Sequence, residues 1–289
     1  MIKLQTPVEI PESVLGLGPD DGYVVLGSCF ADEMGSRMVR GGVGACVNPF
    51  GTLYNPVSVC NSVMRLSSGV LFGEDDCVEM GAGAGLVCSF SHHTSFARAT
   101  AGEFLENANS SLAEASGFFK EAGVVVITLG TSWCFRHLET GEIVSNCLKR
   151  NAGEFSREML PAEVSAAMLR RVVSRFPDKK FIFTVSPIRH MVDGAHGNQL
   201  SKSAMHIAVN EVCRAFPERT AYFPSYEIMM DELRDYRFYA DDMVHPSSLA
   251  EEYIWQRFCE WAYSPADRER IVSAEKEFRR SLHRPNVKR

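Results

Sequence analysis

A serine and a cysteine stand side by side where an apolar run of the chain gives way to a helical pattern. Ser28 and Cys29 follow Gly27 at the end of YVVLG, residues 23–27. A hydroxyl or thiol at such a corner lies at a helix N-terminus, where free N–H groups and the helix dipole favour negative charge. The corner could therefore carry a nucleophile and steady an oxyanion, although a helix-capping serine explains the same position equally well.

A candidate base stands late in the chain, in the segment DDMVHPS at residues 241–247. Asp242 and His245 are three residues apart, so one turn of a loop can present both side chains to the same partner. Histidine has a pKa suited to accepting a hydroxyl proton near neutrality, and a carboxylate can orient the ring and stabilise the imidazolium. A D-x-x-H pair is common, however, and a surface histidine beside an acidic loop is the plainer alternative.

Alternating strand and helix patterns would position these residues on an α/β fold. Continuous apolar runs predict buried parallel strands. We place them at residues 23–27, 44–48, 124–130, 180–187 and at the start of 220–229. Amphipathic segments between them predict helices on both faces, that is, a three-layer doubly wound sandwich with a mostly parallel sheet of about five strands. Ligands of such sheets bind beyond the carboxyl ends of the strands, where Ser28 would lie.

An excursion from the sheet and a helical C-terminus complete the expected organisation. Residues 134–146 are typical of a β-hairpin that leaves the sheet. We expect a single domain over residues 1–289, with its core at about 22–263. Residues 264–289 would add a helical extension and a basic tail, which is usually solvated.

Composition restricts the class of protein. The 289 residues are 45% apolar and 23% charged, with 36 acidic and 30 basic side chains and a formal net charge of −6. These values are ordinary for a globular protein, and the acidic balance argues against general nucleic-acid binding. No window approaches the ~20 apolar residues of a membrane span, and Pro7 and Pro11 interrupt any signal-peptide pattern. We therefore expect a cytoplasmic protein that does not insert into membranes; its oligomeric state stays open.

The nine cysteines are scattered without C-x-x-C pairs, as expected of small buried thiols in a reducing compartment. A zinc site needs clustered ligands, and the nearest candidates are Cys77, Cys88, His92 and His93. Their spacing matches no common zinc pattern. We therefore expect neither a bound metal nor another cofactor.

Six short blocks carry a more specific signal. They are GSCFAD (27–32), NPFGTLYNP (48–56), TLGTSW (128–133), SPIRH (186–190), NQLSK (198–202) and DDMVHPS (241–247). In this order they resemble the GSCFA family, within the SGNH/GDSL hydrolase superfamily. The resemblance runs over roughly residues 24 to 260 and implies a flavodoxin-like SGNH hydrolase fold.

The resemblance also implies a catalytic set. Ser28 would be the nucleophile, His245 its base and Asp242 the residue that orients the base. Cys29 is the rival nucleophile, because a thiol at a helix N-terminus has a lowered pKa. One residue further along the helix, its side chain turns roughly 100° away from that of Ser28, so both cannot face one base. We favour Ser28 and interpret Cys29 as a packing residue.

The oxyanion donors implied by the resemblance are the backbone N–H groups of Ser28 and Gly51. The third block of the superfamily adds an asparagine side chain, but here Ser132 holds that position. A serine hydroxyl is shorter and can turn away, and one lost oxyanion donor costs roughly 10² to 10³ in rate. Ser132 itself, Thr131 or Asn48 would have to replace the asparagine, or the enzyme is slow or no ordinary esterase.

Polar and aromatic side chains around the same strand ends are expected to contact the substrate. They are Asn48, His92, Thr131, Trp133, Arg189 and His190. Arg189 could clamp a carboxylate, a phosphate or sugar hydroxyls, unless it forms an ion pair with Asp193, Asp241 or Asp242. Trp133 would form a pocket wall or part of the core, and His92 would either line the pocket or lie on the surface.

These inferences predict an SGNH-like serine esterase that removes acyl groups from an O-acylated small molecule or carbohydrate through an acyl-enzyme on Ser28. The carbohydrate rests on superfamily analogy. An acyltransferase would use the same residues, with a sugar hydroxyl in place of water. A non-catalytic module that binds a ligand or a partner, and a cysteine-dependent enzyme at Cys29, are the alternatives from other classes.

Overall fold

The central feature of the computed structural model, which describes residues 6–282, is a sheet of five parallel strands. The strands in chain order are β1 (Tyr23–Gly27), β2 (Ala45–Val47), β3 (Val78–Glu79), β4 (Val87–Cys88), β5 (Val124–Leu129), β6 (Trp133–His137), β7 (Ile143–Val144), β8 (Phe155–Met159), β9 (Lys180–Val185) and β10 (Thr220–Tyr222). The central sheet has the order β10-β9-β5-β1-β2, and every pairing in it is parallel. This is the flavodoxin-like order, and the predicted three-layer α/β fold is confirmed.

Helices cover both faces of the sheet. They are α1 (Cys29–Arg40), α2 (Pro56–Ser68), α3 (Ala101–Glu121), α4 (Ala162–Arg175), α5 (Gly194–Ala215), α6 (Ser225–Glu227), α7 (Ser248–Ala262) and α8 (Pro265–Leu282). Side chains alternate along each strand, so Val24 and Leu26 of β1 join the core beneath α2 to α5, whereas Val25 joins the core beneath α1, α7 and α8. The expected C-terminal helices are therefore present, and residues 283–289 of the expected basic tail lie outside the described residues.

A second, three-stranded sheet has the order β7-β6-β8 and rises from the end of β5. The hairpin of β6 and β7 agrees with the prediction for residues 134–146. Strand β8 was not predicted; it pairs with β6 in antiparallel register from Trp133 opposite Met159 to His137 opposite Phe155. Within the described part of the chain, no helix is both long and apolar enough to cross a bilayer.

The corner between β1 and α1 is built on Gly27. Its φ is +142°, in the region that side chains rarely allow. A Cβ at this position would lie 2.0 Å from the carbonyl oxygen of Thr128 on the neighbouring strand. The close approach of β1 and β5 at this point therefore requires glycine, and it sets where Ser28 leaves the sheet.

Candidate active site

Four of the predicted blocks meet at the carboxyl edge of the parallel sheet. Gly27 ends β1, Asn48 follows β2, Gly130 follows β5 and Ser186 follows β9. The carboxyl edge is where open α/β sheets bind ligands. The chain thus brings to one place segments that are far apart in the sequence.

Ser28 occupies the N-cap position of α1 without acting as a cap. Its side chain accepts no hydrogen bond from the first turn. The residue is only 2% exposed, and its Oγ has no hydrogen-bond partner among residues 6–282. An unpaired buried hydroxyl costs free energy and calls for an explanation beyond helix capping. The capping alternative therefore does not account for this serine.

Asp242 and His245 form a preassembled pair. One carboxylate oxygen of Asp242 accepts the backbone N–H groups of Val244 and His245, each at 2.9 Å, and the other lies 2.6 Å from His245 Nδ1. These hydrogen bonds, led by the backbone N–H of His245, lower the pKa of Asp242 to about 2. With Nδ1 bonded to a carboxylate, Nε2 is the ring nitrogen left to act as a base.

The base and the nucleophile are not hydrogen-bonded to each other in this structure, because Ser28 Oγ has no partner. The side chain of His245 is 44% exposed on its loop, next to Met243, whose φ is +57°. The helix after this loop, α7, packs against α1, which begins beside Ser28. A hydrogen bond between His245 and Ser28 would therefore require a rearrangement at the site, as is common before substrate binds.

His190 also approaches the site. Its backbone N–H donates to the side-chain oxygen of Asn198 at 2.8 Å, and its ring centroid lies 5.7 Å from that of Tyr54. Burial lowers the pKa of His190 to about 4, and the nearby charge of Lys202 acts in the same direction. His190 is thus a neutral imidazole near neutral pH and a weak base.

The two predicted backbone oxyanion donors are both hydrogen-bonded within the fold, and their role toward an oxyanion stays a prediction. The N–H of Ser28 donates to the Thr128 carbonyl at 3.2 Å, because the ladder between β1 and β5 continues one residue past Gly27. The N–H of Gly51 donates to the Asn48 carbonyl at 2.7 Å and closes a turn. Either group could serve an oxyanion only after its present bond is broken.

Ser201 of α5 forms hydrogen bonds to the segment TLGTSW (128–133), which contains the third-block position Ser132. Ser201 Oγ accepts the N–H of Ser132 at 2.8 Å and lies 2.9 Å from Thr131 Oγ1, which in turn accepts the N–H of Trp133. Ser132 is fully buried, and its own hydroxyl finds no partner in the described chain. Thr131 therefore has a structural role here, whereas the Ser132 hydroxyl is unengaged.

Asn48 supports the corner, in contrast to the substrate contact expected of it. Its side-chain oxygen accepts the N–H of Gly27 at 2.8 Å, and its Nδ2 donates to Asp32 at 2.6 Å. The backbone at Asn48 is left-handed, with φ of 41°. Burial raises the pKa of Asp32. The amide thus ties β1 and α1 together behind Ser28.

His92 lies in the core and not on the site, so its expected substrate contact is wrong. The residue is fully buried, and its ring is 4.6 to 5.5 Å from those of Phe50, Phe72, Phe96 and Phe104. Nδ1 lies 2.6 Å from Ser89 Oγ. Desolvation lowers the pKa of His92 to about 3, because the phenylalanine rings cannot solvate an imidazolium.

Replacing His92 with leucine is expected to make folding less sensitive to acid. In the unfolded chain this histidine takes up a proton below about pH 6.5, whereas in the fold it stays neutral to about pH 3. Wild-type stability must therefore fall as the pH drops through this window, by about 2 to 3 kcal/mol at pH 4.5 from this residue. Urea unfolding of wild type and His92→Leu at pH 7.5 and 4.5 measures this effect. If the difference in unfolding free energy between the two proteins is the same at both pH values, the assignment is contradicted.

Arg189 is a cation without an acidic partner. Asp193, one of the aspartates expected to pair with it, instead forms a two-pronged ion pair with Arg157, which lies over the Trp133 ring. No carboxylate in the described ranges pairs with Arg189, and its Nε is buried and unbonded. Its backbone N–H donates to the Val244 carbonyl at 3.3 Å. Arg189 therefore adjoins the loop that carries His245, and its predicted substrate contact stays a prediction, as does that of Trp133.

Cys29 faces Tyr54. Its Sγ lies 3.5 Å from the Tyr54 hydroxyl, which is 3.4 Å from Thr52 Oγ1. Burial, with the neighbouring thiol, raises the pKa of Tyr54 to about 12. A Cβ placed on Gly130 would meet both Tyr54 and Ser28 within 3.3 Å. Tyr54 is thus a site residue that we did not predict, although it lies within the block NPFGTLYNP.

A cleft of about 730 Å³ opens between α2 and the hairpin of β6 and β7. Its lining includes hydroxyl and amide groups of Asn61, Ser62, Ser91, Thr140 and Ser145, with the carboxylates of Asp75, Asp76, Glu139 and Glu142. Phe50, Phe72 and Phe90 border it as well; Phe50 and Phe72 are buried, Arg65 lies over the Phe72 ring, and Phe90 is half-buried. Phe50 lies within the turn from Asn48 to Gly51, and α2 begins two residues after Tyr54, so the cleft starts near the candidate site.

A flavodoxin-like sheet, a serine without a partner among the described residues and an Asp–His pair define an α/β protein with a candidate active site at the carboxyl edge of its sheet. The family model described as GSCFA family matches residues 23–258, and the chain belongs to this family. No curated protein and no solved structure matched the chain in the corresponding searches.

Proposed function

We propose that this protein is a serine hydrolase of the SGNH type that cleaves ester bonds. Ser28 is its nucleophile, His245 its general base and Asp242 the residue that orients the base. The proposal is carried by the buried hydroxyl of Ser28, which has no partner among the described residues. It is also supported by an imidazole that a carboxylate already orients, on a loop that is hydrogen-bonded to Arg189 after β9. The GSCFA assignment is compatible with this reading.

The reaction follows from these positions. Ser28 Oγ attacks the acyl carbon while its proton passes to Nε2 of His245, which gives a tetrahedral oxyanion. The carbon–oxygen bond to the alcohol then breaks, and His245 returns the proton to the leaving alkoxide. Water, deprotonated by the same nitrogen, attacks the acyl-enzyme and releases the carboxylic acid and free Ser28. Throughout, Asp242 stays ionised and stabilises the imidazolium.

The alcohol part of the substrate is proposed to be a polyhydroxylated molecule such as a carbohydrate. The support is the cleft beside α2, whose lining combines hydroxyl, amide and carboxylate groups with the half-buried ring of Phe90. Carboxylates and amides accept or donate to several hydroxyls at once, and aromatic faces cover the apolar side of a sugar ring. A sugar held there with an ester directed at Ser28 would use both sites.

Two other functions have support of their own. An acyltransferase would use the same first step and a sugar hydroxyl in the second. A binding module is favoured by the bonded state of the Ser28 and Gly51 N–H groups, which are the two backbone oxyanion donors that the resemblance implies. A cysteine enzyme has less support, because Cys29 faces the Tyr54 hydroxyl.

Labelling with a fluorophosphonate probe tests the proposal, because such probes react with activated serines. We expect wild type and Cys29→Ala to be labelled and Ser28→Ala to be unlabelled. Cys29→Ala is the matched control, since it changes the adjacent side chain at the same corner. Failure of the folded wild type to react would overturn the hydrolase in favour of a binding module; iodoacetamide sensitivity that Cys29→Ala removes would indicate a cysteine enzyme.

We also propose a cytoplasmic location and a single functional unit. None of the nine cysteines forms a disulfide, as expected in a reducing compartment. The site draws on residues from β1 through the segment before α7, so most of the chain is needed to build it.

A further inference from the structure

Helix α5 carries a lysine that the proposed reaction does not use. Lys202 is fully buried, and its Nζ donates hydrogen bonds of 2.7 Å to the carbonyl oxygens of Gly130 and Ser186. These carbonyls follow the last residues of β5 and β9. The ammonium therefore lies beneath the carboxyl edge of the sheet and joins the ends of two neighbouring strands.

One residue, Gly130, separates Lys202 from the candidate nucleophile Ser28 in space. Gly130, whose carbonyl accepts from Lys202, is in contact with the Ser28 corner: a Cβ on Gly130 would lie 3.3 Å from Ser28 Cβ. The same glycine begins the turn that carries Thr131 and Ser132. The Lys202 ammonium is thus one hydrogen bond away from a residue that adjoins Ser28.

The charge of Lys202 is not offset by a carboxylate. Among the residues that the structure describes, no aspartate or glutamate pairs with it; its titratable neighbours are His190, His206 and the Tyr226 ring, 5.8 Å away. Glu227 binds the Tyr222 hydroxyl and lies 3.6 Å from His206. An isolated buried charge is costly, so its retention calls for a compensating negative charge elsewhere.

A second buried lysine, Lys179, has a carboxylate beside it and serves as a comparison. Lys179 lies at the opposite edge of the same two strands, where its Nζ donates to the Ala122 carbonyl at 2.6 Å. Unlike Lys202, it has a carboxylate beside it, that of Asp178 at 4.0 Å. Both lysines join strand ends, but only the one at the site edge lacks a counter-charge.

We propose that Lys202 is an electrostatic positioning residue, which holds the Gly130 turn and stabilises the oxyanion formed when Ser28 attacks an ester carbonyl. This inference rests on the proposed hydrolase function. The negative charge that offsets Lys202 then appears only in the transition state, which is where a stabilising charge accelerates a reaction. Lys202 also compensates in part for the missing third-block asparagine and for the bonded N–H groups of Ser28 and Gly51.

The inference makes the rate depend on the protonation of Lys202. Burial lowers the pKa of this amine to about 7. A neutral amine keeps two N–H groups for its two carbonyl partners, so the turn survives deprotonation while the positive potential is lost. Above about pH 7 the wild-type kcat should therefore fall.

The test is kcat and KM for p-nitrophenyl acetate between pH 5 and 9. We expect Lys202→Met to lower kcat at pH 6.5 by roughly 10- to 100-fold, less than the loss of a donor in direct contact with the oxyanion, with KM little changed. The decline of kcat at alkaline pH should be absent from the Lys202→Met variant. Lys202→Arg keeps a charge that does not titrate, so it should recover part of the rate without the alkaline decline.

Lys179→Met is the matched control, and it should lower the melting temperature without altering the pH profile. Should Lys202→Met fail to fold, Lys202→Gln keeps a donor without charge and must show the same loss of the alkaline decline. A wild-type rate that stays constant or rises to pH 9, or a wild-type profile in the Met or Gln variant, would overturn the role of Lys202. Absence of fluorophosphonate labelling in wild type would instead overturn the hydrolase itself.

Discussion

Replacing His245 with alanine is expected to lower kcat for p-nitrophenyl acetate by roughly 10⁴-fold, with KM within a few-fold of wild type. The reason is that Ser28 has no other base oriented by a carboxylate: Asp242 holds Nδ1 of His245 at 2.6 Å and leaves Nε2 free. Asp242→Asn should give a loss of similar order, since an amide can donate to Nδ1 and select the wrong tautomer. The double variant should lose little more than either single variant, because the two side chains act as a unit.

His190→Gln is the decisive control for this prediction. His190 is the other histidine near the site, but burial lowers its pKa to about 4, which makes it a poor base. We expect this variant to keep at least roughly a tenth of the wild-type kcat, because general-base loss costs far more than that. Were His190→Gln inactive and His245→Ala active, the base would be His190 and the proposed catalytic set would be wrong.

Replacing Gly27 with alanine is expected to prevent stable folding. The new methyl group would lie 2.0 Å from the Thr128 carbonyl oxygen, and the φ of +142° is strained for any side chain. The obstacle is backbone of the adjacent central strand, so β1 and β5 would have to separate at the corner. A loss of more than about 4 kcal/mol in the free energy of unfolding follows, at the upper end of single-residue effects.

Gly117→Ala provides the matched control for Gly27→Ala. Gly117 lies inside α3 on an exposed face, and a Cβ there would meet nothing within 4 Å. The substitution should raise the free energy of unfolding by roughly 0.5 to 1 kcal/mol. Urea denaturation followed by circular dichroism measures both variants. A Gly27→Ala protein within about 1 kcal/mol of wild type would show that the corner is not as tightly constrained as the geometry indicates.

The parallel sheet could be predicted because its strands are continuous apolar runs, and β1, β5 and β9 appear where such runs occur. Strand β8 could not, because FSREM is short and half-polar and pairs with β6 only through long-range register. Short strands of this kind depend on the surface they pack against more than on their own residues.

The site was predictable where it depends on local spacing. The D-x-x-H spacing of Asp242 and His245 encodes their hydrogen bond, and the corner at Ser28 follows from the strand-to-helix change. The burial of individual side chains was harder to predict. His92 follows a polar stretch, yet it is buried among phenylalanine rings. Lys202 is fully buried, although lysine is almost never fully buried in proteins. Such positions are set by how distant segments meet, which one sequence does not reveal.

The loop that carries His245 has a consequence for how this chemistry can be regulated. Asp242 uses one oxygen on the N–H groups of its own loop and the other on the imidazole, so the ring's orientation depends on no bond to the sheet. The pair therefore keeps its internal hydrogen bonds if the loop moves, so a displacement that breaks the bond between Arg189 and Val244 would change the distance to Ser28 and not the nitrogen that faces Asp242. In the proposed reaction, a substitution that alters the position of this loop would then change turnover while leaving the Asp242–His245 hydrogen bond intact.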